Sequence, residues 1–327
     1  MNQPVVRIIT KQEQLPTLDD VNFFHSSQLF AITRQTPRQK PYMAIAEDAA
    51  GRPLAHMLAI VRYRASLLPP YLYMHCRILG EGVYGYSHEG FSDSHLFGLM
   101  LDALLGKLSS RVLYIEVSNL SHKMFAYKEL KQRQFFPVHW MSIHNSLHSH
   151  PPEERISKRL QKHISTAYAR GVVTDEVNGD DDFRAFMKLL KRHNWLKPKR
   201  YIPDAKFFLA MRQEGYGRLY LTRFKSRVIG CSAVAYSNQN AYLWYMASRR
   251  KSFAIVHPDE LTLWHVLKDT HSRGYEHVFF LDVGLPFSRN SFREFILRFG
   301  GKPVSTFRWF RCSIRWINVI LSRIYRG

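Results

Sequence analysis

A single carboxylate, Asp282, closes the almost wholly apolar run Val278-Phe-Phe-Leu-Asp-Val-Gly. A run of that kind reads as a strand covered on both faces, so an ionisable group at its end needs an explanation. Upstream, Tyr245 lies in the strand-like Ala241-Tyr-Leu-Trp-Tyr-Met-Ala, and the basic joint Arg249-Arg250-Lys251 follows closely. Between the two runs stands His257-Pro-Asp-Glu. Pro258 suits a first helical position, and Asp259 and Glu260 sit where a helix dipole favours negative charge. A strand, a crossover helix and a second strand bring neighbouring strand ends together, and α/β sheets often bind ligands there. Asp282, Tyr245 and the three cations then converge on one ligand site. The plain alternative is that Asp282 caps the turn Val283-Gly-Leu-Pro, as Asp commonly does.

The elements around this block occur twice. Leu261, Trp264, Leu267 and Lys268 carry the helix to Gly274, a cap. In the first half, Tyr71-Leu-Tyr-Met-His-Cys-Arg resembles Tyr242-Leu-Trp-Tyr-Met-Ala-Ser-Arg, a helix runs from Ser94 to Lys107, and Arg111-Val-Leu-Tyr-Ile-Glu-Val matches His277-Val-Phe-Phe-Leu-Asp-Val. Glu116 and Pro137 are 21 positions apart, as are Asp282 and Pro303, and each interval holds a helix, Met124 to Lys131 or Ser291 to Arg298. Equal spacing of unrelated residue types indicates an internal repeat of domain length. The expected fold is α/β (α+β), two tandem domains over residues 1–150 and 151–327, joined near Pro151-Pro152.

With 327 residues and 46% hydrophobic content, the chain is long and apolar enough for two globular cores. Its formal charge of +21 points to polyanionic company: nucleic acid, anionic lipid or a phosphorylated substrate. Three widely separated cysteines, Cys76, Cys231 and Cys312, argue against a disulfide scaffold or a zinc site. The N-terminus lacks the layout of a secretion signal and no apolar run approaches a membrane span, so a cytoplasmic protein is expected.

Taken in order, a helix is expected near Leu18 to Phe30, then a hairpin of Tyr42 to Glu47 and Pro53 to Arg64 about the turn Asp48-Ala-Ala-Gly-Arg. His139, His144, His148 and His150 cluster before the joint, but their spacing fits no metal motif and no metal is assigned. Ile156 to Arg170 is a basic helix whose Lys158, Arg159, Lys162 and His163 offer anion contacts or a solvated face. Helices follow from Asp180 and over Asp204 to Glu214, then a hairpin of Gly217 to Phe224 and Arg227 to Tyr236. After Glu294 no acidic residue occurs, and from Ile314 onward Ile317, Ile320, Leu321 and Ile324 fall on one helical face, with Arg315, Asn318, Ser322 and Arg326 opposite. Such a helix suits an anionic membrane surface or a dock on its own protein.

The order of elements resembles a tandem GNAT fold, each domain a mixed, mostly antiparallel twisted sheet flanked by helices. More narrowly, the chain resembles the Fem-type peptidoglycan aminoacyltransferases and related GNAT-like acyltransferases. The residues that carry this are Lys162-His-Ile-Ser-Thr-Ala-Tyr-Ala-Arg-Gly-Val, Tyr245-Met-Ala-Ser-Arg-Arg-Lys, the helix from Pro258 to Gly274, the strand end Asp282-Val-Gly, and Phe295-Ile-Leu-Arg-Phe-Gly-Gly-Lys-Pro. One departure matters. Acetyl-CoA-dependent GNAT enzymes place a glycine-rich loop at a helix start, where amides hold the pyrophosphate. Here that position reads Arg250-Lys-Ser-Phe-Ala-Ile-Val-His-Pro-Asp-Glu, without glycine and with two acids.

The resemblance implies an acyl- or aminoacyltransferase: an amine attacks an activated acyl carbonyl on a phosphorylated cell-envelope precursor or lipid. It implies Asp282 as the group that orients or deprotonates the amine and Tyr245 as donor to the oxyanion or leaving group. Arg249, Arg250 and Lys251, with Lys302 as a weaker candidate, would hold phosphate. No tightly bound cofactor is implied. The donor arrives as co-substrate, as acyl-CoA, acyl carrier protein or aminoacyl-tRNA, and the partners are a lipid-linked acceptor and the inner face of an anionic membrane. The second copy, with its basic joint, is expected to hold the reacting group, while Arg77-Ile-Leu-Gly-Glu-Gly in the first copy is poorer in charge. The alternative is a catalytically silent, basic nucleic-acid-binding protein on the same fold.

Overall fold

The computed structural model describes residues 3–66, 69–85, 90–194, 201–281 and 283–325. Two compact units divide the chain: Met1–Met141 with Ser305–Gly327, and Ser142–Val304.

The first unit contains β1 (Val5–Ile9), α1 (Ser27–Gln35), β2 (Gln39–Glu47), β3 (Pro53–Ala65), β4 (Leu72–Leu79), β5 (Val83–Tyr84), α2 (Asp93–Leu108), β6 (Tyr114–Ser118) and α3 (Tyr127–Gln132). The next strand, β7 (Phe136–Ser146), leads into the second unit. That unit holds α4 (Lys158–Ala169), β8 (Val172–Glu176), α5 (Gly179–Asn194), α6 (Ala205–Gln213), β9 (Gly217–Phe224), β10 (Arg227–Ser237), β11 (Asn240–Ser248), α7 (Pro258–Ser272), β12 (His277–Phe280) and α8 (Ser291–Leu297). Through β13 (Lys302–Cys312) the chain returns to the first unit and ends in α9 (Arg315–Ile324).

Local chemistry sets these bounds. Asp48 closes the β2–β3 hairpin by accepting from the N–H groups of Ala50 and Arg52, each at 2.9 Å. Ser92 caps α2 through the His95 N–H at 3.2 Å, and the helix buries Leu96, Met100, Leu101 and Leu104. The helix expected from Leu18 starts only at Ser27. Asp20 accepts from both the backbone N–H and the hydroxyl of Ser27, at 2.8 and 2.6 Å, and Ser26 supplies the cap, so the preceding residues are held in a loop.

In the first unit the strands run β1-β2-β3-β4-β6-β13, with β5 beside β3, and every pair along the row is antiparallel except β4 with β6. In the second they run β8-β9-β10-β11-β12-β7, again antiparallel except β11 with β12. Identical order and sense make these two copies of one mixed, mostly antiparallel sheet. The sixth strand of each sheet comes from the other copy's stretch of sequence: Tyr114–Val117 of β6 pairs with Trp309–Cys312 of β13, and His277–Phe280 of β12 pairs with Ile143–Ser146 of β7. The division expected at residue 150 therefore falls at 141/142, and the last residues join the first unit rather than the second. Trp309 explains why. It is fully buried in the first unit's core, edge-on to Tyr127 at 5.1 Å.

Helix α9 departs in part from its expected facing: Ile317 and Leu321 are half-buried as expected, but Asn318 is the buried position and Ile320 and Ile324 are exposed.

Candidate active site

Strand β11 changes partners midway. Its first four residues, Asn240 to Leu243, pair in parallel with His277 to Phe280 of β12. On the other side β10 follows it throughout, but the register slips: Val234 faces Leu243 and Ala233 faces Tyr245, which leaves Trp244 as a bulge. Past this bulge, among the described residues, Trp244–Ser248 has no strand on its β12 side. Five residues of strand span about 16 Å. The matching place in the first unit is shut. There β4 and β6 pair from His75 with Tyr114 to Leu79 with Ser118, and the Gly80 N–H continues the ladder to the Ser118 carbonyl at 2.8 Å.

Tyr245 stands on this open stretch. It is buried, edge-on to Phe208 at 5.3 Å, and its hydroxyl donates to the Tyr201 carbonyl at 3.2 Å. The basic joint follows. Arg249 lies over the Phe253 ring at 5.0 Å, Arg250 Nε is 3.5 Å from Asp259, and Lys251 is exposed. Sequence reasoning missed a fourth cation: Arg170, at the end of α4, donates to the Ile255 carbonyl at 2.7 Å and so joins the same loop. Its only signal was its place in the basic helix. Asp282 lies outside the described residues.

Lys302 does not join this group. Its charge is felt by His144 and His277, and His277 bonds Asn240 at 3.0 Å, at the start of β11. The basic joint follows the other end of that nine-residue strand, roughly 26 Å away by strand rise. The histidines before the joint are scattered by the same geometry. His144 and His148 meet His277 ring to ring, His150 faces Glu154, and His139 packs on Phe307.

After the basic joint, α7 begins with its own acids. Pro258 occupies the first turn, preceded by His257 in the left-handed region at φ 44°, a strained backbone for a non-glycine residue. Glu260 is buried and accepts from His163 Nδ1 at 3.1 Å and Arg298 Nη1 at 3.2 Å, with His257 Nδ1 at 3.6 Å. Burial pushes the Asp259 carboxyl up, against the pull of Arg250.

His163, His257 and Glu260 gather three donor atoms within 4.8 Å, yet they make a poor cation site. Imidazole lone pairs lie in the ring plane, and these rings are parallel to within 5° at 4.2 Å, so the lone pairs do not converge. Arg298 also sets a positive charge against the carboxylate. The group instead fixes Glu260 at the helix start, where its charge meets the positive end of the dipole.

Farther along, Thr262 Oγ1 lies 2.7 Å from Thr222 Oγ1, which bonds Thr174 at 3.0 Å. Gly230 permits this approach. A Cβ there would lie 2.1 Å from Thr262 Oγ1, so β10 and α7 come together only over a glycine.

Residues 154–289, which contain the open edge, match the family model described as an acetyltransferase (GNAT) domain. No curated protein matches the sequence. Among solved structures, FemX superposes with a TM-score of 0.61 at 11% identity, over 95% of this chain and 96% of that one. The C-terminal domain of a putative lysylphosphatidylglycerol synthetase from Agrobacterium fabrum gives 0.58 at 8% identity, over 92% and 91%. A tandem GNAT protein from the clavulanic acid biosynthesis pathway gives 0.57 at 12%, over 94% and 99%. The whole chain therefore has the tandem GNAT fold shared with FemX and the tandem GNAT protein, and its second unit contains the segment that matches the GNAT domain model.

Proposed function

We propose that the protein transfers an activated acyl or aminoacyl group to an amine of a phosphorylated cell-envelope precursor or lipid, with the reacting group held in the second unit. The observation that carries this reading is the basic loop after β11, where Arg249, Arg250, Lys251 and Arg170 gather inside the matched GNAT segment. The donor's acyl arm lies toward the β11 bulge at Trp244. Arg170, Arg249, Arg250 and Lys251 then hold the donor's phosphates at the loop.

In the reaction, the neutral amine attacks the carbonyl, the tetrahedral oxyanion collapses, and the donor's thiol or hydroxyl leaves. Asp282 takes the proton that the amine must lose, directly or through water. Tyr245 gives a hydrogen bond to the leaving group once its hydroxyl turns from the Tyr201 carbonyl. Asp259 and Glu260 occupy the amide end of α7 that a pyrophosphate would otherwise use. They favour a donor gripped by side-chain cations, aminoacyl-tRNA or acyl carrier protein, over CoA. The names of two neighbours, FemX and a lysylphosphatidylglycerol synthetase, support an aminoacyl donor and an envelope or lipid acceptor.

Thermal unfolding with acyl-CoA, acyl carrier protein and aminoacyl-tRNA tests the donor. A ligand at about 100 times its Kd adds about 2.7 kcal/mol. A shift with aminoacyl-tRNA or the carrier protein that disappears in Arg249→Glu/Lys251→Glu supports the proposal. A shift with CoA alone assigns an ordinary acetyltransferase. Random duplex DNA stabilising as well as tRNA assigns the nucleic-acid-binding alternative.

A further inference from the structure

Helix α9 is attached by a mixed side, on which Ile317, Leu321 and Ser322 are half-buried about a buried Asn318. Asn318, 5% exposed, accepts from the Cys312 N–H at 2.8 Å and donates to the Gln134 carbonyl at 2.9 Å, while Tyr325 stacks on Phe136 with centroids 6.0 Å apart. The opposite side carries Trp316 at 66%, Val319 at 42%, Ile320 at 48% and Ile324 at 66% exposure. A helix at a protein surface ordinarily turns such residues inward. Here an amide with two backbone partners occupies the middle of the attached side, and four large apolar side chains face outward on less than three turns of helix.

The charges on the helix itself have one sign. Arg315 borders the outward face and Arg323 stands within it, one turn or two from Val319 and Trp316 on the helix. Arg111, exposed, precedes Val112, whose carbonyl accepts from Ser313 just before the helix. No acidic residue follows Glu294 in the sequence. The acids near α3, Glu129 and Asp102, share one cation, Arg133, which offsets one of their two charges. An apolar stripe containing a tryptophan, bordered by arginines, is the pattern of a helix lying in the headgroup region of an anionic bilayer. No helix among the described residues is long and apolar enough to cross one. A second copy of the chain is a poor occupant, because two molecules of formal charge +21 would have to join through faces bordered by like charges.

We infer that α9 is a membrane-docking element, preset by Asn318 to present Trp316, Val319, Ile320 and Ile324 to the interface of an anionic membrane, with Arg315 and Arg323 at its headgroups. The inference stands on the first unit alone and survives if the proposed donor or acceptor is wrong.

The test is sedimentation of the full chain with phosphatidylcholine vesicles and with vesicles containing 30% phosphatidylglycerol (about the anionic fraction that makes a surface potential felt by basic residues). Binding to the anionic vesicles should fall more than ~10-fold in Trp316→Ser/Ile320→Ser, which removes most of the outward apolar area. It should fall about 5-fold in Arg323→Gln at low salt. Val173→Ser, an exposed apolar residue on β8, should change nothing. Quenching of wild-type tryptophan fluorescence by brominated lipid supplies a readout without a variant. Equal binding to both vesicles, no binding, or undiminished binding of the double variant would overturn the inference. So would a wild-type dimer in sedimentation velocity that the double variant dissolves, which would make a second copy the occupant.

Discussion

Glu116 and Arg308, 192 positions apart in the sequence, meet at 3.3 Å, and Arg77 reaches the same carboxylate oxygen at 3.3 Å. All three side chains are close to nine-tenths buried. Glu116 is the first copy's counterpart of Asp282, and two guanidinium groups engage it where β4 and β6 are zipped together. Arg308 comes from the returning strand β13 and also lies over Trp140 at 4.0 Å. The carboxylate is structural glue for the returning strand.

Glu116→Ala should cost about 3–5 kcal/mol of stability, because it leaves two buried cations without their counter-charge. Glu116→Gln, which keeps an acceptor, should cost less. Urea denaturation of both variants checks this. A loss below about 1 kcal/mol for Glu116→Ala would show that the network contributes nothing net.

Gly230→Ala should destabilise the second unit by about 1–3 kcal/mol through overpacking, since the new methyl must displace Thr262 or the start of α7. The double variant Gly230→Ala/Thr262→Ala should recover part of the loss, although Thr222 remains close at 3.1 Å. Denaturation midpoints of the three proteins decide it, and no recovery in the double variant would place the strain elsewhere.

Three buried histidines set an acid limit. Burial pushes His25 down to about 3, His56 to about 4 and His75 to about 2. Unfolded, each would titrate near 6.5, so between that pH and about 4 the unfolded chain binds protons that the folded chain refuses. Their stabilising share is complete above about pH 6.5 and is lost as pH falls, by up to about 1.4 kcal/mol per pH unit for each group. Urea midpoints should be flat from pH 7 to 8 with respect to these groups and should fall between pH 6.5 and 4. His56→Leu should make the fall shallower. An unchanged slope in that variant would mean that His56 is not held neutral.

Much of this was legible in the chain because it is local. The apolar runs at 241 and 278, the acid-started helix at Pro258 and the equal 21-residue intervals led to the paired sheets. Strand exchange was not legible: β7 and β13 alternate no differently for pairing with one sheet than with the other, and only the pocket for Trp309 decides. Asn318 misled for the same reason. Periodicity puts an amide outside unless its partners are known, and Cys312 N–H and the Gln134 carbonyl are supplied by the fold. Glu260 was visible as a helix-start acid, but His163 and Arg298, which hold it, come from two other helical segments. The bulge at Trp244 has no sequence signature.

The measurement that bears most directly on the division of labour is turnover per folded molecule for Asp282→Ala and Glu116→Ala. Transfer to lipid-linked peptidoglycan precursors or amino-lipids is assayed with whichever donor stabilises the wild type, and the folded fraction is measured in parallel. The account predicts a loss of about 10²–10⁴-fold for Asp282→Ala, the usual worth of a proton-transfer group. It predicts near wild-type turnover for the folded fraction of Glu116→Ala. Equal losses in the two variants, or a larger loss at Glu116, would contradict it and move the chemistry to the first unit.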